Sequence, residues 1–77
     1  MSITPEQLKK LRKSLNITKE EAGKSVLVTR RTWQNWEISK DKYNHRVMPE
    51  GLLELFCIKH SIKYKIVENS ILIEYIS

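Results

Sequence analysis

Two helix-start signals lie close together in the middle of this 77-residue chain and restrict the fold around them. Thr18, with Glu21 three positions later, forms a capping box that marks the start of a helix. Thr29 is a second N-cap residue, and a further helix is expected from Arg30 onward. The apolar residues at positions 27 and 28 are poor helix starters. Residues 18–37 are therefore predicted to form two short helices joined by a tight turn, the second ending near residue 38.

The second of these helices is predicted to have two chemically different faces. At about 100° per residue, Trp33 and Trp36 fall on one arc, which favours packing against the protein interior. Four polar side chains fall on the opposite arc: Arg30, Arg31, Gln34 and Asn35. Arginine forms paired hydrogen bonds with guanine in the DNA major groove, and asparagine or glutamine does so with adenine. We therefore predict that these four residues contact bases; the alternative is an ordinary solvated helix face.

The same segment resembles the helix-turn-helix of the lambda-repressor-like family, also called Cro-like or XRE-type. That family has threonine or serine before the second helix, an apolar residue four positions later and an aromatic–Glu pair near the end. This chain has Thr29, Trp33 and Trp36–Glu37 at those places, and its LKKLRKSLNIT matches the first helix of the family. The resemblance covers about residues 5–61. It implies a mainly α, compact four-helix domain that binds double-stranded DNA through the second helix of the motif.

Three positions depart from the pattern of that family. Gly23 stands where alanine is usual, which keeps a small residue where two helices cross. Leu27 stands where glycine is usual, although leucine disfavours a positive φ. Lys19 stands where glutamine often follows the N-cap, and we predict that it contacts a DNA phosphate. Thr29 is predicted to face another phosphate, at the positive end of the second motif helix.

A charged residue interrupts the apolar side of the first helix, which is expected to start after Thr4 and to be closed by Asn16 in a left-handed conformation. Arg12 lies on the same side as the leucines of that helix. A charge in such a place usually has a partner, and Glu37 on the inner arc of the second motif helix is the candidate. The family commonly has an Arg–Glu pair at these positions. The alternative is that Arg12 extends to solvent.

The net charge of +5 is unevenly distributed along the chain. Residues 1–38 carry eight Lys or Arg and four acidic residues, whereas residues 51–77 carry three of each. The excess positive charge therefore lies with the predicted base-contacting helix, as expected for a surface that docks a polyanion. A charge of this size also fits a basic surface that is merely solvated.

The polar segment 39–47, which follows the second motif helix, has no apolar periodicity. Members of the family bring this segment close to the DNA backbone. We therefore predict phosphate contacts from Lys40, Lys42, Tyr43 and Arg46, with an ordinary surface loop as the alternative. His45 has no acidic or cysteine partner in the sequence and is interpreted as a surface histidine.

The remainder of the chain predicts one more helix and a β-hairpin. Pro49 is expected to open a helix over residues 49–61 that is apolar around most of its circumference. From residue 62, alternation of apolar and polar residues replaces the helical spacing. A turn at Glu68–Asn69 would pair Ile66 with Ile71, Tyr64 with Ile73 and Ile62 with Tyr75 on one face, and Lys63 with Glu74 on the other.

A two-stranded hairpin is not stable by itself. It must cover the helices or pair with a second copy of itself, and pairing across a two-fold axis would make an obligate dimer. We predict that four residues contribute to dimerisation: Ile58, Ile71, Ile73 and Tyr75. Residues 1–61, the DNA-binding part, and residues 62–77, the hairpin, are expected to form one domain.

Other classes of function are not indicated. Cys57 is the only cysteine, which excludes an intramolecular disulfide, and the Cys57–His60 spacing lacks the second pair of a zinc site. No paired carboxylates, nucleophile–base set or glycine-rich loop points to an enzyme. We expect no metal, cofactor or small-molecule substrate. No apolar run approaches the roughly 20 residues of a membrane span, and no signal peptide is visible, so a cytoplasmic location is expected.

Two functions fit these observations. The first is a sequence-specific transcriptional regulator of the phage, plasmid or mobile-element type, a repressor that binds an inverted-repeat operator as a homodimer. The second is an antitoxin-like or other interaction module that docks a partner protein through the C-terminal hairpin.

Overall fold

The structure is a computed structural model that describes residues 3–74. Four helices are followed by an antiparallel hairpin: α1 (Pro5–Ser14), α2 (Lys19–Ser25), α3 (Arg30–Glu37), α4 (Glu50–Lys59), β1 (Tyr64–Val67) and β2 (Ser70–Ile73). The chain is therefore a compact, mainly α domain with a small hairpin at its C-terminal end, as the sequence predicts. Within residues 3–74, no helix combines the length and the apolar character needed to cross a membrane.

The helix starts follow from local side-chain hydrogen bonds. Thr4 and Thr18 each form a complete capping box with the residue three positions later. The Thr29 hydroxyl accepts the backbone N–H of Thr32 at 3.2 Å. Asn16 has a φ of 59° at the end of α1, which is the left-handed conformation predicted for it. The helix boundaries are thus set by the capping residues visible in the sequence.

The connection between α2 and α3 packs tightly against α2. Leu27 has a φ of 63° and is 84% exposed, so the turn adopts the left-handed conformation without the usual glycine. The carbonyl oxygen of Gly23 accepts the N–H groups of Val26 and Val28 at 3.1 and 2.9 Å. A Cβ added to Gly23 would lie 2.9 Å from the Val28 oxygen and 3.0 Å from the Thr29 oxygen. Because real Cβ atoms do not approach backbone oxygens so closely, this crossing requires glycine.

Aromatic side chains form the centre of the core. Trp33 is fully buried, with ring centroids 5.5 Å from Trp36 on the same helix and 5.0 Å from Phe56 on α4. Leu8 and Leu11 of α1 are also fully buried. The apolar arc of α3 therefore faces α1 and α4, and its opposite arc faces outward.

The ion pair predicted between Arg12 and Glu37 is present. Arg12 Nε donates to Glu37 Oε2 at 2.7 Å, and Arg12 Nη2 donates to Glu37 Oε1 at 3.2 Å. A third donor, Arg12 Nη1, reaches the carbonyl of Ile17 at 3.0 Å. The indole N–H of Trp33 also donates to Glu37 Oε2. One buried pair thus joins α1, the segment before α2 and the end of α3.

The hairpin has the predicted register. Ile66 is opposite Ile71 and Tyr64 is opposite Ile73. Glu68 and Asn69, the two turn residues, have φ values of 51° and 66°. Two positive φ values are those of a type I′ turn, whose twist matches the flanking strands.

The structure corrects two of the predicted dimer contacts. Ile71 and Ile73 are only 9% and 4% exposed, and they belong to the core cluster that includes residues of α4. The inward face of β2 is covered by the chain's own helix, so these side chains are not available to a second copy. Ile58 is 61% exposed and stays a candidate contact. Tyr75, and its predicted pairing with Ile62, lie outside the described residues.

Two glycines provide a test of the α2–α3 crossing. We expect Gly23→Ala to lower the free energy of unfolding by about 1–3 kcal/mol, the usual cost of overpacking, despite alanine's better helix propensity. Gly51→Ala is the matched control, because nothing lies within 4 Å of its Cβ position in α4. It should be neutral or stabilise by up to about 1 kcal/mol. Urea unfolding measures both, and equal effects would contradict the proposed contact.

The ion pair can be tested with one substitution. Glu37→Gln keeps the side-chain size but leaves the guanidinium of Arg12 buried without its counter-charge. We expect a loss of about 3 kcal/mol in the free energy of unfolding, as for other buried pairs that lose one partner. Glu20→Gln, at an exposed position in the first turn of α2, is the control and should lower stability by no more than about 1 kcal/mol, the contribution of one charge to the helix dipole. If both variants unfold at the same urea concentration, Glu37 has no such role.

His60 predicts how stability changes with pH. Burial of the ring, with a smaller effect from the charge of Lys59, lowers the pKa of His60 below its ordinary value of 6.5. The folded state therefore favours neutral histidine, so its contribution is complete above about pH 6.5 and is lost as the pH falls through the folded pKa. We expect His60→Leu to lose less stability than the parent between about pH 7.5 and about pH 5 in urea unfolding. A His60→Leu profile identical to that of the parent would contradict the assignment.

Candidate nucleic-acid interface

The outward arc of α3 forms the floor of a shallow concavity. Five residues line it: Arg30, Arg31, Gln34, Asn35 and Asn44. The structure thus brings together all four residues predicted to contact bases, and adds one from the loop that follows α3. Behind this arc, Trp33 and Trp36 are 0% and 5% exposed. The packing of the two tryptophans therefore fixes which side of α3 faces outward.

The side chains in the concavity are largely unused by the protein itself. Arg30 Nη1 donates to Gln34 Oε1 at 3.1 Å, one turn along the helix. Among the described residues, the side chains of Arg31, Asn35 and Asn44 make no hydrogen bond. Two guanidinium groups and three amides supply many donors and several acceptors. This combination suits the hydrogen-bonding edges of bases as well as phosphate oxygens.

The charges at the start of α3 oppose the helix dipole. The first turns of the other three helices contain acidic residues, namely Glu6 in α1, Glu20 and Glu21 in α2, and Glu50 in α4. The first turn of α3 contains none and instead begins with Arg30 and Arg31. Positive charges at a helix N-terminus are unfavourable by about 0.3–1 kcal/mol each. An anion at this end would compensate both the arginines and the dipole.

Two of the predicted phosphate-contacting residues lie near the starts of α2 and α3. The Thr29 hydroxyl already serves the protein, because it caps the N–H of Thr32 and contacts the Thr32 hydroxyl at 3.2 Å. Lys19 is the first residue of α2 and is half-buried. Among the described residues, the Lys19 ammonium group makes no hydrogen bond or ion pair and is open to an anion, whereas Thr29 would act mainly through the helix end that it caps.

The loop between α3 and α4 carries the other predicted phosphate contacts. Lys40, Lys42 and Arg46 are exposed, and Tyr43 is 96% exposed. The guanidinium of Arg46 donates to the carbonyls of Tyr43 and His45 at 3.3 and 2.9 Å, so it partly braces its own loop. Within residues 3–74, the exposed side chains of Lys40, Lys42 and Tyr43 make no hydrogen bond, and these residues contribute only backbone groups to the loop.

Two residues of this loop have positions that the sequence did not predict. Asn44 lines the concavity on α3. His45, interpreted as a surface histidine, is half-buried, and its Nδ1 lies within hydrogen-bond distance of the Ile38 carbonyl at 2.9 Å. Neither position follows from residue spacing, because it depends on how an irregular loop folds back. The one available signal was the polar, turn-forming character of the segment.

The described residues offer little for other chemistry. Within residues 3–74, no group of three or more His, Cys, Asp or Glu side chains is arranged to hold a metal ion. Burial, together with the charge of Glu54, raises the pKa of the Cys57 thiol to about 11. The thiol is thus protonated at neutral pH and a poor nucleophile.

Comparisons of the sequence with family models and with curated proteins find no match.

Proposed function

We propose that this protein is a sequence-specific DNA-binding transcriptional regulator, in which α2, the turn and α3 act as a helix-turn-helix. In this proposal α3 enters the major groove with its N-terminal end leading. Arg30, Arg31, Gln34 and Asn35 contact base edges, and the lysines of the following loop contact phosphates.

The observation that carries this proposal is the outward arc of α3. It combines two arginines at the positive end of the helix, no acidic residue in the first turn, and polar side chains that have few partners within the described chain. A solvated helix face has no reason to concentrate cations against the helix dipole. The phosphates of duplex DNA would balance the arginines and the helix dipole. Its base edges would provide hydrogen-bond partners for the polar side chains.

Affinity and specificity would come from different residues. Exposed cations such as Lys40 and Lys42 would neutralise phosphates and release counterions, which supplies binding to any sequence. The arginine and amide side chains on α3 would discriminate between base pairs, at about 1–3 kcal/mol for each good bidentate contact. The positive excess in residues 1–38, which include α3, fits this division.

We further propose that the protein acts as a homodimer on an inverted repeat, with half-sites about 34 Å apart, and represses by occluding polymerase. The open edge of the sheet supports a contact between copies. Glu50 Oε2 accepts the outward N–H of Ile71 at 3.4 Å on the β2 side, whereas β1 is an edge strand whose Ile66 is 60% exposed. Edge strands of this kind pair readily with other strands.

Exposed apolar side chains on α4 and β1 favour a second candidate function, docking of a different protein as in antitoxins. Ile58, Ile66 and Val67 are 61%, 60% and 46% exposed. Sedimentation of the purified chain at micromolar concentration separates the two. A dimer of this chain supports the regulator, and a monomer that forms a complex only with a second chain supports the docking module.

The experiment that tests the proposed function is selection from a random duplex DNA library at near-physiological salt. An enriched inverted repeat supports a dimeric regulator. A single enriched half-site keeps base recognition and removes the two-fold dimer. No enrichment by the folded protein overturns the proposal.

We expect Arg31→Ala and Asn35→Ala each to weaken binding to the preferred site by about tenfold or more, because each removes base hydrogen bonds worth about 1–3 kcal/mol. Fluorescence anisotropy with a labelled duplex measures the effect, and thermal unfolding confirms that the variants are folded.

Two control variants make this result specific. Lys59→Ala removes one positive charge from an exposed position on α4, a helix that packs against the buried face of α3 through Phe56, and should change affinity little. Lys42→Ala should weaken binding to all sequences alike and reduce the salt dependence by about one phosphate contact. If Lys59→Ala is as damaging as Arg31→Ala, the α3 face is not the binding surface.

A further inference from the structure

Asn44 differs from its neighbours in the loop between α3 and α4. Tyr43 before it is 96% exposed, whereas Asn44 is half-buried. It lines the concavity together with Asn35 and the other polar residues of α3. Asn44 therefore belongs spatially to the surface of α3, although it lies seven positions beyond the last residue of that helix.

The loop backbone beside Asn44 is anchored to α3 and to Ile38, the residue that follows α3. The N–H of Arg46 donates to the carbonyl of Asn35 at 3.0 Å. Nδ1 of His45 lies 2.9 Å from the carbonyl of Ile38. The N–H of His45 donates to the carbonyl of Lys42 at 3.1 Å, which closes the turn around Asn44. The position of Asn44 relative to Asn35 is thus fixed before any ligand arrives, as a recognition residue requires.

The chemistry of the side chain limits what Asn44 can do. Its amide carries both donors and an acceptor, and it makes no hydrogen bond among the described residues. It has no charge, so it adds little to the electrostatic attraction that supplies binding to any DNA. A side chain that both donates and accepts is suited to the N6 and N7 atoms of adenine in the major groove.

We propose that Asn44 is a specificity-determining residue that reads an adenine in the base pair next to the one contacted by Asn35. This inference rests on the proposed function. It makes the recognition surface composite, with α3 supplying four side chains and the following loop supplying a fifth.

The test compares library selections with the parent, Asn44→Ala and Asn44→Asp, each shown to be folded. We expect Asn44→Ala to lose the preference at a single base-pair position, with about tenfold weaker binding to the parent's preferred duplex and the other positions unchanged. Asn44→Asp should shift that position from adenine toward cytosine, because a carboxylate accepts from the cytosine amino group. Val47→Ala, at an exposed position of the same loop with no role in the proposed interface, is the control and should keep every base preference.

The outcomes are distinguishable. If the parent enriches a sequence and Asn44→Ala keeps the same preference at every position, the inference is overturned, even where affinity falls, since that fall would reflect a phosphate contact or loop support. Asn44→Ala could lose the preference at one position while Asn44→Asp fails to shift that position from adenine toward cytosine. That result would likewise overturn direct reading of the base by the amide. If the folded parent enriches no sequence, the proposed function fails and the inference fails with it.

Discussion

The buried ion pair between Arg12 and Glu37 determines how α3 sits on the rest of the domain. The carboxylate of Glu37 accepts two hydrogen bonds from Arg12 and one from the Trp33 indole, and Arg12 also reaches the Ile17 carbonyl. Both side chains are nearly buried, 10% and 3% exposed. Burying two charges is costly, and the cost is recovered only when the hydrogen bonds have one geometry. Because α3 has only eight residues, this geometry also fixes the direction of its outward arc.

The parts of the fold that could be predicted from the sequence are those governed by short-range rules. Capping residues act on groups two or three positions away, so Thr4, Thr18 and Thr29 gave the helix starts. Apolar alternation around a two-residue turn gave the register of the hairpin. Arg12 and Glu37 are 25 residues apart in sequence. Their ion pair could still be predicted, because a charge on an apolar helix face needs a partner on another inward face.

The features that escaped prediction depend on what covers a surface, which periodicity does not state. Alternation marked Ile71 and Ile73 as members of one face, but their cover is α4 of the same chain and not a second copy. Leu27 adopts a left-handed conformation that costs roughly 1–2 kcal/mol; the close packing of the turn on Gly23 overrides this local preference. Asn44 reaches the α3 surface only because an irregular loop folds back onto the helix end.

The charges at the two ends of α3 explain why the candidate site lies where it does. Both ends oppose the helix dipole, with Arg30 and Arg31 at the positive end and Glu37 at the negative end. The fold compensates the negative end with the guanidinium of Arg12. Within the described residues it supplies no acid to the positive end, where Arg30 contacts only the neutral amide of Gln34. A break of a local rule that the fold itself does not compensate is expected to serve function. An external polyanion would balance this end of α3 as Arg12 balances the other.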